Sequence, residues 1–585
     1  MQAMLRSMLL LAAAGFAAVA QPLGQTADEK AKKQATLQGQ VLNLVTGEPV
    51  RKANLALQPE SGGTTLKAVS DNAGKFAIEN VDPGRYTLAA ERQGFVKQNY
   101  GAKRPTGPGT TLELKASQEL KDLVFKLTPQ GVIAGRVLDD EGEPVSGVSI
   151  QVQQYMYLMG KKRLITTANT LIMSNDLGEF RAPNLSPGRY YVAVSPQKIA
   201  DIQSGTERAA TKGATEGFIP TYYPNAADPS TASAVEVGPG AEVRGIDIRL
   251  RKTRVFRVSG KVMNAATGTP LSPAMIMVFR REAGGMSTMP VSMYMVQGDK
   301  GAFELRNVPA GGYSVLAIST NPADLMMLMT SLDVTDQDIE EMVISLGAGF
   351  EIRVTAKIEG APPPADEGKA NDTSDPKAAA AQKTNPATDL NNVRIVLSID
   401  ENPMASLSTV QLGKDGKGLL KRVNPDKYKL VVAGLPAGTY LKSARFGDRD
   451  ALESGIDLRQ GAAGNLDLVI GAPAAELSGV VRNEKGDPVP GAIVTLVPKD
   501  PKARTDLSQT GSADQNGSIR MRGIVPAEYT VFAWEDIEAG AAEDEEFRKP
   551  FDSLGKKLKL SEGSKESLQL TVITRASVEE EKTKR

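Results

Sequence analysis

The sequence contains no cysteine and no histidine, it has a single tryptophan, and aromatic residues make up only 5% of it. The missing cysteines exclude disulfides. The two absences together exclude Ser-His-Asp and Cys-His nucleophile systems and zinc sites of the usual His or Cys kind. Charge of one sign is lacking too: Lys+Arg and Asp+Glu are both 69. No basic stripe of the kind a phosphate backbone requires stands out, so nucleic acid is not an expected partner. Long apolar runs are confined to the start of the chain. There Arg6 precedes an apolar run from Met8 to Val19 that ends in Ala18-Val19-Ala20. That run is too short to span a bilayer and reads as a signal peptide cleaved after Ala20. No later segment suits a membrane span, and no cysteine follows the leader to carry a lipid. The expectation is a secreted or periplasmic chain without a transmembrane segment, cofactor or metal.

What the sequence does contain is a repeat. A chain of 585 residues is too long for one core and should divide into four to six domains. In four places a glycine-bearing strand leads to a Gly-x-Pro turn and an alternating strand. Gly39 goes with Gly47-Glu48-Pro49, Gly135 with Gly142-Glu143-Pro144, Gly260 with Gly268-Thr269-Pro270, and Gly479 with Gly486-Asp487-Pro488. Val148, Ile150 and Val152 form one side of that second strand, and Ile493, Thr495 and Val497 read the same way in the last copy. Further along, a twelve-residue step joins a turn glycine to a tyrosine: Gly74 to Tyr86, Gly178 to Tyr190, Gly301 to Tyr313 and Gly517 to Tyr529. The corners before the first three tyrosines read Asn80-Val81-Asp82-Pro83-Gly84, Asn184-Leu185-Ser186-Pro187-Gly188 and Asn307-Val308-Pro309-Ala310-Gly311. Constant spacing implies a repeated structural unit. The tyrosines are expected to bury their rings and tie their hydroxyls back to the backbone.

A blurred copy keeps the step from Gly416 to Tyr428, and Gly434–Tyr440 reads as a second such corner, but the Gly-x-Pro turn is missing. Within it, residues 361–389 are Pro-, Ala-, Asp- and Lys-rich and are expected to be disordered. The pattern is that of an all-β chain: a tandem array of about five Ig/transthyretin-like β-sandwich domains after a cleaved signal peptide. The expected divisions are 1–20 leader, 21–36 linker, and sandwiches at 37–129, 130–252, 253–349, 350–473 and 474–575, with a charged tail at 576–585. A short helix is expected at Pro322–Leu332 or Thr335–Val343.

The segment Ile133–Val152, with Gly135-Arg136-Val137 and Asp140-Glu141-Gly142-Glu143-Pro144-Val145-Ser146-Gly147-Val148, resembles the carboxypeptidase regulatory-like domain. So do Asp514-Gln515-Asn516-Gly517-Ser518-Ile519 with Phe532-Ala533-Trp534-Glu535-Asp536, and Phe218-Ile219-Pro220-Thr221-Tyr222-Tyr223-Pro224-Asn225, as found in multi-repeat secreted bacterial proteins. The resemblance implies a transthyretin-like sandwich grouped with carbohydrate-binding folds and serving as a non-catalytic accessory module. It brings no functional residue with it, and the histidine zinc ligands of the metallocarboxypeptidases are missing here.

Site candidates are few. Tyr222 and Tyr223, between Pro220 and Pro224, form either a stacking platform for sugar or peptide, or an edge-closing ring beside a half-exposed one. Met286, Met289, Met293 and Met295, with Met326, Met327 and Met329, raise cuprous ion against adaptable packing. Asp336, Asp338, Glu340 and Glu341, and the turn Asp139-Asp140-Glu141, raise calcium against solvated acidic turns, without EF-hand spacing. Ser195-Pro196-Gln197-Lys198 matches a Ser-x-x-Lys string but follows a strand and lacks the partner motifs. The leading expectation is therefore a binding or scaffold protein arranged as a rod, with polysaccharide or an envelope protein as partner. A carbohydrate-binding module array is the first alternative, and a hydrolase using carboxylates alone the second.

Overall fold

The computed structural model describes residues 34–584 except 159, 168–170, 199–214, 283–284, 322–325, 361–388, 400–407, 462–463 and 500–503. The expected leader, and all of the expected disordered insertion 361–389 except Asp389, lie outside the described residues. Among the described residues the strands form ten sheets, and five hydrophobic clusters each join two of them into a sandwich. Within each sandwich the first strand lies between an antiparallel neighbour and a parallel last strand. Ala35–Asn43 lies between Lys75–Val81 and Glu119–Leu127, Arg251–Asn264 between Ala302–Pro309 and Ile339–Leu346. Phe350–Glu359 lies between Lys417–Val423 and Leu466–Gly471, Ala475–Arg482 between Ser518–Ile524 and Lys565–Thr571. In the second sandwich Gly131–Leu138 has Glu179–Leu185 on one side and the short strands Glu242–Val243 and Ile248–Arg249 on the other.

The repeated glycine of the first strand is explained by that parallel neighbour. A Cβ at Gly39, Gly135, Gly260 or Gly479 would run into the backbone carbonyl of Leu123, Ile246, Met342 or Leu568 respectively. Glycine is what lets the two backbones approach so closely. In the first and third sandwiches the register shifts beside it, and Asp122 and Glu341 take positive φ of 60° on the partner strand. The Gly-x-Pro turns fold back so that Pro49, Pro144, Pro270 and Pro488 bridge to the first strand. The fourth sandwich has Val354 at the glycine position, and its parallel ladder runs without a shift.

The short helix expected at Pro322–Leu332 or Thr335–Val343 is not formed. Residues 322–325 lie outside the described residues, and the others form the strands Met327–Val334 and Ile339–Leu346 joined by a turn at 335–338. Met327–Val334 completes a ladder with Gly311–Ser319, and Ile339–Leu346 is the parallel partner of Arg251–Asn264. Met- and Leu-rich runs this short fit either period, and available sheet edges decide the outcome. Helix appears instead where a charged tail was expected. Arg575–Thr583 starts at Thr574, whose side chain accepts from the Ser577 N–H, and it buries Val578.

In the fifth sandwich Val494 and Leu496, rather than Ile493 and Val497, face the core between the sheets. Ile493 and Val497 enter a second cluster on the outer face, with Phe532, Trp534, Phe547, Phe551 and Val578. The chain's one tryptophan is fully buried there, its indole N–H donating to Thr495 Oγ1 at 2.9 Å. Tyr157 of the second sandwich packs on the same cluster, 5.9 Å from the Phe547 ring.

The sandwiches therefore do not form an open rod. The first docks on the fifth: Gln515 and Glu113 exchange two hydrogen bonds of 2.9 and 2.8 Å, and Thr111 bridges to Asp514. At the same seam the Arg104 guanidinium donates to Asp536 at 2.7 Å and lies 3.3 Å from Glu538, with Asp536 only 2% exposed. The second and third are joined by Thr215–Ile219, which adds to the sheet of Arg251–Asn264, and by Gln197, whose amide bonds Met293 N and O at 2.8 and 2.7 Å.

Candidate functional site

Each corner tyrosine closes its own loop. The hydroxyls of Tyr86, Tyr190, Tyr313, Tyr428 and Tyr529 donate to the carbonyls of Asp82, Ser186, Pro309, Asn424 and Val525, four residues back in every case. The residue six before each tyrosine turns the corner with positive φ: Asn80, Asn184, Asn307, Arg422 and Gly523. The rings are 0 to 7% exposed. Burial raises all five phenols, those of Tyr190 and Tyr313 to about 12. Gly434–Tyr440 is not such a corner. The Tyr440 hydroxyl instead lies 3.2 Å from Glu562, across the seam between the fourth and fifth sandwiches.

The Tyr222 ring is 4% exposed, enclosed with Ala193, Ala226 and Met289 between the second and third sandwiches, so it offers no open stacking face. Tyr223 is half-buried against the core of the second sandwich. The strand pairing of Thr221-Tyr222 with Ala193-Val194 holds the pair there. The methionines do not gather in one place. Met289 joins Tyr222, Met326 enters the core of the third sandwich, and Met293 and Met295 lie along the strand Gly285–Val296 opposite Met277 and Met275.

The acidic candidates are taken up by cations and turns. Arg257 lies 3.6 Å from Asp338 and 2.8 Å from Glu340, while Glu341 is the positive-φ residue beside Gly260. Asp139 accepts the N–H groups of Glu141 and Glu143, and Asp140 pairs with Lys252 at 2.8 Å. Among the described residues no cluster of three metal-ligating side chains is found. Ser195 is 8% exposed within the strand Gly188–Lys198, opposite Ser149.

Sequence reasoning missed a cleft beside Tyr222. It has a volume of about 360 Å³ at the end of the third sandwich, lined by Arg251, Thr253, Arg254, Phe256 and Arg280. Pro309-Ala310 from the tyrosine corner and Thr335-Asp336 from the following turn close one side, and Ile219 and Ala227 of the second sandwich close the other. A smaller cavity of about 30 Å³, lined by Tyr222, Arg280, Ser287, Met289 and Tyr313, shares Ile219, Ala227, Arg280 and Pro309 with the cleft and has room for about one water. The Arg254 guanidinium lies 5.2 Å from the Phe256 ring and donates to the Asp336 carbonyl. Arg251 and Arg254 lie on one strand and Arg280 on a strand of the facing sheet, so no motif within a single segment announces the group.

Residues 36–127, the first sandwich, match the family model described as carboxypeptidase regulatory-like domain. No curated protein matches the chain in sequence. Solved structures similar to it include the TIE protein of Bacillus anthracis, at 13% identity and a TM-score of 0.16. That alignment takes in 54% of this chain and 51% of the other, so the chain spans about half the length of that protein. GBS52, the minor pilin of Streptococcus agalactiae, aligns at 12% identity and a TM-score of 0.21, over 37% of this chain and 96% of its own. BcpA, the major pilin subunit of Bacillus cereus, aligns at 10% identity and 0.14, over 54% and 99%.

Proposed function

We propose that the chain is a non-catalytic, extracytoplasmic scaffold that holds binding surfaces in fixed relation to one another. The observation that carries this reading is the closure of the first sandwich onto the fifth through Arg104 and Asp536. A buried ion pair between residues 432 apart in sequence is costly to form unless geometry is good. It favours one arrangement of the sandwiches over a flexible string. The non-catalytic part is supported by the missing cysteine and histidine and by the match of the first sandwich to an accessory-domain family. The extracytoplasmic part rests on the leader at residues 1–20. Among the described residues no helix is long and apolar enough to cross a membrane. Arrays of weak sites held at fixed spacing gain avidity on a polymer, which is the use such a body suits.

The test uses the chain from Gln21 to Arg585. Small-angle scattering should report a single compact particle, and pull-downs with envelope polysaccharides and envelope proteins should retain it. Reporter glycosides and peptides should remain uncleaved. An extended, flexible scattering profile, or turnover abolished by replacing one carboxylate, would overturn the scaffold reading.

A further inference from the structure

The cleft at the end of the third sandwich gathers three guanidiniums, Arg251, Arg254 and Arg280, against one carboxylate, Asp336. Among the described residues, neither Arg251 nor Arg280 lies within ion-pair distance of a carboxylate, and Arg254 donates only to a backbone carbonyl. Elsewhere the fold pairs its arginines readily. Arg257, one strand position from this cleft, lies within 4 Å of three carboxylates, and Arg281, next to Arg280, pairs with Asp333. Three guanidiniums converging on one concavity repel each other, and an anion relieves that repulsion. Asp228 is the carboxylate whose electrostatics Arg280 influences, but its oxygen is held by the Ser230 N–H at 2.9 Å and hydroxyl at 2.6 Å.

We propose that this cleft binds a carboxylate-bearing sugar, the acidic unit of a hydroxylated polysaccharide, with Arg251 and Arg280 gripping the carboxylate. The assignment rests on the binding reading above and makes it specific. Guanidiniums present paired N–H donors that match the two oxygens of a carboxylate. Thr253, Thr335 and Asp336 add hydroxyl and carboxylate groups to the same wall, suited to sugar hydroxyls. Asp336 also disfavours a compact dianion such as phosphate, whose second charge would face it. Ala227, Pro309 and Ala310 supply the apolar flank against which a sugar ring can lie. A volume of about 360 Å³ admits a small ligand and leaves both ends of a polymer outside.

The experiment is isothermal titration of the full mature chain with galacturonate and glucuronate oligomers, neutral oligomers of the same length, and inorganic phosphate. The uronates should bind saturably, more weakly as salt rises, while neutral oligomers and phosphate bind at least about tenfold more weakly. Arg251→Ala, at an exposed position, and Arg280→Gln should each lower uronate affinity by about tenfold or more. Circular dichroism and the melting curve of each variant establish that it is folded. Wild-type binding left unchanged in both folded variants would overturn this site and leave the scaffold reading standing. Preference for phosphate over uronate would overturn the ligand class. Absence of any anion binding would overturn the site altogether, while pull-down by envelope components separately decides the scaffold reading.

Discussion

At the scale of single residues, the five corner tyrosines are the most repeated device in the molecule. Each buries a ring and satisfies its hydroxyl with a backbone carbonyl four residues back. Tyr190→Phe or Tyr313→Phe removes only that hydrogen bond and should destabilise its sandwich by about 1 kcal/mol in a denaturant melt. Tyr313→Ala also empties the core and should cost about 3–5 kcal/mol. Burial holds the Tyr190 and Tyr313 phenols near 12, above the ordinary 10. Between those values the folded state binds more protons than the unfolded one. The resulting stability is complete below pH 10 and is lost as pH rises through about 12. Absorbance at 295 nm should show these phenols still protonated at pH 10 in the folded chain and ionising only as the pH nears 12, and titration of all tyrosines near pH 10 without unfolding would contradict it. Arg422 is the odd member of the Asn-rich set at the corner's left-handed position. Arg422→Asn should stabilise the fourth sandwich by up to about 1 kcal/mol, less whatever the arginine side chain contributes.

At the scale of elements, the strand glycine and its parallel neighbour form one unit. Gly260→Ala would push a methyl into the Met342 carbonyl and should cost about 1–3 kcal/mol as the two strands part. The fourth sandwich has solved the same crossing differently. Val354 is 1% exposed in its core, so Val354→Gly there should also destabilise, by about 2 kcal/mol. Opposite substitutions at equivalent positions thus share a sign, which thermal melts of the two variants can check. The glycine repeat was visible in the sequence because spacing survives without contacts. Its reason was not visible, because the clashing carbonyl lies more than 80 residues away along the chain.

At the scale of the whole molecule, the closure of the first sandwich on the fifth is electrostatic and therefore sensitive to pH. Burial alone would raise the Glu538 carboxyl, but Lys582 at 2.9 Å and Arg104 at 3.3 Å outweigh it and hold it below its ordinary 4.5. With the folded value depressed, its contribution is present above pH 4.5 and is lost as pH falls through the folded value. The scattering radius should therefore grow below pH 4.5, and Glu538→Gln should weaken that dependence; a radius constant to pH 3.5 would contradict it. Arg104→Ala leaves Asp536 buried beside the more distant Arg575 and should open the seam at neutral pH, with a loss on the order of 3 kcal/mol. High salt should open the wild-type seam far less than it weakens exposed pairs, because screening reaches buried pairs poorly.

By itself the sequence determined the composition of the array: all-β sandwiches, their repeat, the corner tyrosines, and the chemistries that absent cysteine and histidine rule out. These are local or periodic properties, carried by spacing and by backbone preferences of glycine, proline and asparagine. Tertiary structure decided where the apolar faces went. It buried Tyr222 in a seam, gave Ile493 and Val497 a second cluster under the C-terminal helix, and drew the Met-rich insertion into strands. It also brought Arg104 to Asp536 and set Arg251, Arg254 and Arg280 around one cleft. Both arrangements depend on contacts between segments of different sheets or different sandwiches, and no pattern within a single segment encodes a neighbour of that kind.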